Sequence, residues 1–177
     1  PLLLATAAAD AAAAGPIKSL RFNNDDSPKL TRTPSTAGAG TKFTISFWAK
    51  LNSSDNQSFF SVHNDNGNTP RFIFQIVGSS DKADILAYDG SNSWNLITTR
   101  VFRDYSGGWY HFVIAADTTD STASNRIKFY VNGVQETTFD TETYPSQNFN
   151  CQIGSNSIVH QIGYYGSTYA DCYLADF

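Results

Sequence analysis

GWYHFVIAADTTDSTASNRIKFYVNGVQETTF, residues 108–139, holds two β-rich runs around a polar loop, and the second run doubles back at Asn132-Gly133. An Asn-Gly pair readily takes the two positive φ angles of a type I′ turn, whose twist matches that of the flanking strands. A two-residue loop there sets Val131 opposite Val134 and fixes the register. In the first run Tyr110, Phe112 and Ile114 fall on one face, and Trp109, His111 and Val113 on the other. Both faces are largely apolar, which predicts a central strand covered on both sides. Ile127, Phe129 and Val131 repeat the alternation in the next strand.

The same period of two extends outward from this hairpin. Residues 43–50 place Phe43, Ile45, Phe47 and Ala49 on one face, with Thr44, Ser46, Trp48 and Lys50 on the other, as in a half-buried antiparallel strand. Further strands are expected at 17–22, 30–33, 58–62, 71–77, 83–88, 94–99, 152–154, 158–163 and 172–177, and residues 140–150 read as loop. Pro28 and Pro34 blunt the 30–33 run, which marks it as an edge. The total is roughly eleven to thirteen strands, too many for one open sheet, so two packed sheets follow. An all-β antiparallel sandwich is the predicted class.

A chain of 177 residues is long enough for one domain with a sizeable core. Its formal net charge is −4 with the charges scattered, which argues against a nucleic-acid surface. No apolar run reaches the roughly 18 residues of a membrane helix. Cys151 and Cys172 match no metal-site spacing, and free buried thiols are the expected reading, with one bridge as the alternative. Residues 1–16 form an Ala-rich segment, read as a linker or assembly element preceding a domain at 17–177 whose last strand is expected to continue beyond Phe177.

The ordered set SLRFNNDDSPKLTRTP, FTISFWAKL, GGWYHFVIAADTT, IKFYVNGVQ and YLADF resembles a laminin G-type, concanavalin A-like jelly roll. Together with the Ala-rich leader, it also resembles laminin G-like proteins of tailed phages. That resemblance implies a tail-fibre, spike or capsid-surface role with host adhesion, a location on the virion surface, and assembly both with copies of itself as a homotrimer and with other virion proteins. It implies a first strand (20–22) beside the last (173–175), a pairing that closes most of the chain and slows folding. The alternative is a calcium-assisted carbohydrate-binding module of a secreted bacterial protein.

The superfamily includes glucanases, which need paired carboxylates. The chain has only two Glu, Glu136 and Glu142, and the glucanase E-x-D pattern is missing. Along a continuous strand Asp140 and Glu142 would lie about 7 Å apart, and Glu136 and Glu142 about 20 Å. His63, His111 and His160 accompany no G-x-S-x-G elbow, and His111 reads as a satisfied core histidine. A non-enzyme is therefore expected, with no required cofactor. Calcium is an optional ligand implied by the resemblance, its candidate loops being 65–68, 89–92 and 117–120. For a sugar, the best local cluster is Asp89, Asn92 and Trp94. Tyr164, Tyr165 and Tyr169, bracketed by glycines, suit either a subunit interface or a glycan.

Overall fold

The computed structural model describes residues 18–64 and 70–177. The Ala-rich segment 1–16 and the candidate calcium loop 65–68 lie outside the described residues. The described strands are β1 (Leu20–Phe22), β2 (Leu30–Arg32), β3 (Lys42–Leu51), β4 (Gln57–Val62), β5 (Arg71–Val77), β6 (Lys82–Tyr88), β7 (Ser93–Val101) and β8 (Tyr110–Asp117). They continue as β9 (Ile127–Val131), β10 (Val134–Gln135), β11 (Phe139–Thr143), β12 (His160–Ile162), β13 (Tyr164–Tyr165), β14 (Thr168–Tyr169) and β15 (Cys172–Ala175). One six-stranded antiparallel sheet runs β1-β15-β3-β8-β9-β10, and a seven-stranded one runs β11-β7-β6-β5-β4-β12-β2. A small β13-β14 hairpin stands apart from both.

The Asn132-Gly133 turn has φ of 51° and 79°, and Val134 pairs with Val131. The first and last strands lie side by side, Leu20 opposite Leu174 and Phe22 opposite Cys172. β2 is the edge of its sheet, as its flanking prolines require.

Phenylalanines hold the two sheets together. Phe47 of β3 and Phe112 of β8 reach across to Phe59 and Phe74, with ring centroids 5.4–5.7 Å apart in tilted and edge-on pairs. Such geometry adds about 0.5–1.5 kcal/mol per pair to the burial of apolar area. Phe129 extends the group toward β9, and Phe102 closes one end.

Three expectations need correction. β8 is central in its sheet, but only Phe112, Ile114 and Ala116 are buried; His111, Val113 and Ala115 are half-exposed, because nothing described packs on that outer face. His111 is therefore not a core histidine. Residues 139–143 are a strand rather than loop, paired through Thr141 to Ile97 of β7. Residues 152–154 form a turn, with positive φ at Gln152 (64°) and Gly154 (79°), anchored by the Gly38 N–H donating to the Gly154 carbonyl. Cys151 and Cys172 are free and buried, and burial pushes the Cys151 thiol up to about 12.

Two glycines separate conformational from steric cost. A Cβ on Gly133 meets nothing within 4 Å, whereas on Gly163 (φ 82°) it would come within 2.5 Å of the Phe22 ring. Gly133→Ala should cost about 1–2 kcal/mol from its left-handed backbone alone. Gly163→Ala should cost about 1–3 kcal/mol more from overpacking. Urea unfolding of the two variants measures the difference.

The 152–158 loop carries its own pH sensitivity. His160 Nε2 accepts from the Gly154 N–H at 2.8 Å, and Nδ1 lies 3.1 Å from the Ile158 carbonyl. Desolvation lowers the His160 pKa below 6.5, with cross-strand Arg32 adding to the effect against the Ile158 hydrogen bond. The fold favours the neutral ring, so this stability is present above pH 6.5 and lost as pH falls through the folded value. The midpoint of thermal unfolding should drop between pH 7 and pH 5, and the drop should shrink in His160→Gln.

Candidate functional site

Alternation along β5, β6 and β7 sends Phe72, Phe74, Ile85, Trp94 and Leu96 inward. The intervening residues form the outer face of the seven-stranded sheet. Register builds that face in rows: Ser58, Gln75 and Asp84 lie in one line across β4, β5 and β6. Ser61, Ile73, Leu86 and Asn95 form the next, and Arg71, Tyr88 and Ser93 a third.

Several polar side chains on this face are buried, unlike those of an ordinary solvated sheet surface. Asp84 is only 7% exposed, and Ser58 and Ser61 are fully buried. Gln75 Nε2 donates to Asp84 Oδ2 at 3.0 Å. Asp84 Oδ1, Ser58 Oγ, Asn95 Oδ1 and Arg71 Nε nonetheless make no hydrogen bond to protein. Buried polar atoms left in that condition cost about 1–3 kcal/mol each. The cluster combines acceptors with donors in the manner of a surface that receives several hydroxyl groups.

The tyrosine hairpin forms one wall. Ser61 Oγ donates to the Tyr164 carbonyl at 2.7 Å, which ties β13 to the same outer face. Tyr165 meets the buried His63 ring edge-on at 5.0 Å, and Tyr164 and Tyr169 sit 4.7 Å apart. Gln161 bonds His63 Nε2 at 2.9 Å and fixes that ring beneath the hairpin. All three tyrosines are half-exposed. Lys29 Nζ lies 4.3 Å from the Tyr164 ring, which leaves Tyr165 as the less encumbered of the pair. Beyond the hairpin, Asp25, Asp55, Asn56 and Thr168 line a polar recess of about 330 Å³.

The other sequence-predicted cluster is local structure. Asp89 Oδ1 accepts from the backbone N–H groups of Ser91 and Asn92, so its pKa is lowered by those bonds and it serves as a turn cap between β6 and β7. Trp94 is 1% exposed and faces Phe72 in the core. It offers no ring to a sugar, because the residue after Ser93 points inward. Asp89, Asn92 and Trp94 are thus neighbours without being a site.

In the calcium candidate 117–120 the carboxylates are engaged within the protein. Asp117 Oδ1 is used by Thr119, its Oδ2 by Lys42, and Asp120 Oδ1 by the Thr122 N–H. Among the described residues no group of three His, Cys, Asp or Glu side chains is placed to hold a metal. The carboxylates considered for hydrolysis are dispersed into separate contacts: Glu136 with Arg100, Asp140 with Lys82, Glu142 with Tyr144. Ser46 Oγ lies 3.0 Å from His111 Nε2, but no described carboxylate orients the other ring nitrogen.

Residues 22–177 match the laminin G-type grouping of the concanavalin A-like lectin/glucanases superfamily. The chain belongs to that superfamily. No curated protein matches. Among solved structures, the fold is similar to the mouse laminin α1 chain, domains LG4-5, with a TM-score of 0.62 at 10% identity over 90% of this chain and 41% of that one. The LG1-3 region of the laminin α2 chain gives a TM-score of 0.62 at 10% identity, covering 88% of this chain and 30% of that one. The SAP-like pentraxin from Limulus polyphemus gives 0.50 at 14% identity, covering 89% and 73%. At such identities the likeness is one of fold. The chain spans well under half of the laminin fragments it matches.

The missed residues are Asp84, Asn95, Ser58 and Gln75. Gln75, Asp84 and Asn95 stand at outward parity on strands whose inward positions are apolar, and that parity is the signal the sequence offers. Desolvation raises the Asp84 pKa above 3.8 against the lowering by Gln75 and Asn95. The fold therefore favours the protonated acid, a contribution fully present below pH 3.8 and lost as pH rises through the folded value. Asp84→Asn should resist urea better than the parent at pH 7, and the gap should close as pH falls to 3.8.

Proposed function

We propose that this domain is a non-enzymatic glycan-binding adhesion module, whose sugar lies on the outer face of the seven-stranded sheet beside the tyrosine hairpin. The observation that carries the reading is the set of buried polar atoms without a hydrogen-bond partner, Asp84 Oδ1, Ser58 Oγ and Asn95 Oδ1, on the same outer face as a half-exposed aromatic hairpin. Sugar rings are held by this combination of apolar stacking and a few fixed polar groups.

Hydrolysis is not favoured, because a glycosidase needs a second carboxylate about 5–9.5 Å from the first. The residues beside Asp84 in register are Gln75, Ile97, Leu86 and Asn95, none of them acidic. A display role on a phage virion, in a tail fibre or spike with copies of itself, rests on the sequence resemblance and is part of the proposal.

A neutral-glycan array, followed by titration calorimetry on the best hit, tests the reading. Tyr165→Ala and Asp84→Asn should each weaken binding about tenfold or more, the loss of one stacked ring or one charge-assisted hydrogen bond being worth about 1.5–3 kcal/mol. Thermal stability of Tyr165→Ala should stay near that of the parent, and that of Asp84→Asn should equal or exceed it. Undiminished binding in both variants, or turnover of the glycan, would overturn it.

A further inference from the structure

One side of the sandwich is bounded by two short edge strands. β1 ends the six-stranded sheet and β2 ends the seven-stranded one. Between them lie two adjoining apolar recesses of about 350 and 360 Å³, which share Leu30, Ile162 and Phe177. One continues past Phe60 and His160 to Arg32, the other past Phe22 and Leu174 to Leu20.

Phe177 stacks on Phe47 at 4.6 Å and so reaches the aromatic interior, yet it is 46% exposed. Leu20 and Leu30 are 57% and 48% exposed. Three of the five exposed large apolar side chains among the described residues therefore line this one groove, the other two being Val101 and Val134. Single apolar side chains scattered over a surface are ordinary, whereas a contiguous group marks a surface that receives something.

The sequence of the chain points to the occupant. Residues 1–17, outside the described set, join it at Lys18, and Lys18, Ser19 and Leu20 line the groove itself. The preceding chain thus begins at the rim. It reads PLLLATAAADAAAAGPI, with Thr6 and Asp10 as its only polar side chains. Thirteen residues separate Leu4 from Lys18, a reach of about 20 Å even at helical rise. Gly15-Pro16 is a turn signal at the point where the chain must reverse. Asp10 has the charge to complement Lys18 and Arg32, which line the two recesses and make no ion pair.

We propose that the Ala-rich leader of the same chain docks in this groove, with Leu2, Leu3 and Leu4 against Leu20, Leu30 and Phe177 and Asp10 toward the cations at the rim. Covalent connection gives the leader an effective concentration on the order of millimolar. A second copy of the chain would have to displace it from solution. The groove is separate from the proposed sugar face, so either reading can fail without the other.

Cysteine accessibility tests the proposal. Cys151 and Cys172 are buried, and burial pushes both thiols up, so an introduced cysteine is the reactive one. In the chain of residues 1–177, Leu3→Cys should react with a maleimide about tenfold or more slowly than Ser35→Cys, which lies in an exposed loop. Adding Leu20→Asp and Leu30→Asp, both at exposed positions, should bring Leu3→Cys to the rate of Ser35→Cys while unfolding stays cooperative. The apolar dye anilinonaphthalene sulfonate should brighten several-fold more with Leu2→Ser/Leu3→Ser/Leu4→Ser than with the parent. Equal labelling of Leu3→Cys and Ser35→Cys, protection that survives the two aspartates, or equal dye binding by parent and triple variant would each overturn the proposal. Protection that rises with protein concentration, together with a dimer in sedimentation, would assign the groove to a second copy and overturn it as well.

Discussion

The meeting of Phe47 and Phe112 with Phe59 and Phe74 between the sheets is the contact on which the remaining structure depends. It ties β3 and β8 of one sheet to β4 and β5 of the other, and all four strands are separated in sequence by turns and loops. Because each strand alternates, committing these phenylalanines to the interior also commits their neighbours to the two outer faces. Ser46, Trp48 and His111 go to one side; Gln75, Asp84 and Asn95 go to the other. A one-residue slip in either sheet would exchange core for surface, so the aromatic contact sets the functional face as well as the fold.

Much of the fold was legible because its signals are local. Asn132-Gly133 specifies its turn by backbone preference alone, and residues 43–50 show their buried face in every second letter. The β1–β15 pairing came through family resemblance, since no local signal links Phe22 to Cys172 across the length of the domain. The misreadings share a cause. β11 reads as loop in the sequence because it is a polar edge strand, FDTET, with little apolar alternation to mark it. β8 reads as covered on both faces because apolar residues on an outer face look the same in sequence whether or not something lies above them.

The site was harder to read for a related reason. Sequence inspection groups neighbours in the chain, so Asp89, Asn92 and Trp94 stood out, and parity along β7 then buried the tryptophan. Asp84, Asn95, Ser58 and Gln75 come from four different strands and meet only through register. Their polarity looked like that of a solvated face. What distinguishes Asp84 Oδ1, Ser58 Oγ and Asn95 Oδ1 is burial without a hydrogen-bond partner, a property of the assembled sheet. The tyrosines of the β13–β14 hairpin were visible as a group, but their contact with His63 and Ser61, which ties them to that sheet, was not.

A buried carboxylate that raises its own pKa and leaves one oxygen without a protein partner weakens the fold at neutral pH. Buried polar groups in folded proteins are otherwise almost always hydrogen-bonded, and the proposed sugar supplies the missing partner. The most direct measurement is a crystal structure of the domain with its best neutral oligosaccharide. The account predicts an oligosaccharide spanning the face, with one ring against Tyr165 and hydroxyl groups of another meeting Asp84 and Asn95. A sugar bound only at the loops beyond the sheet, with Asp84 untouched, would contradict it.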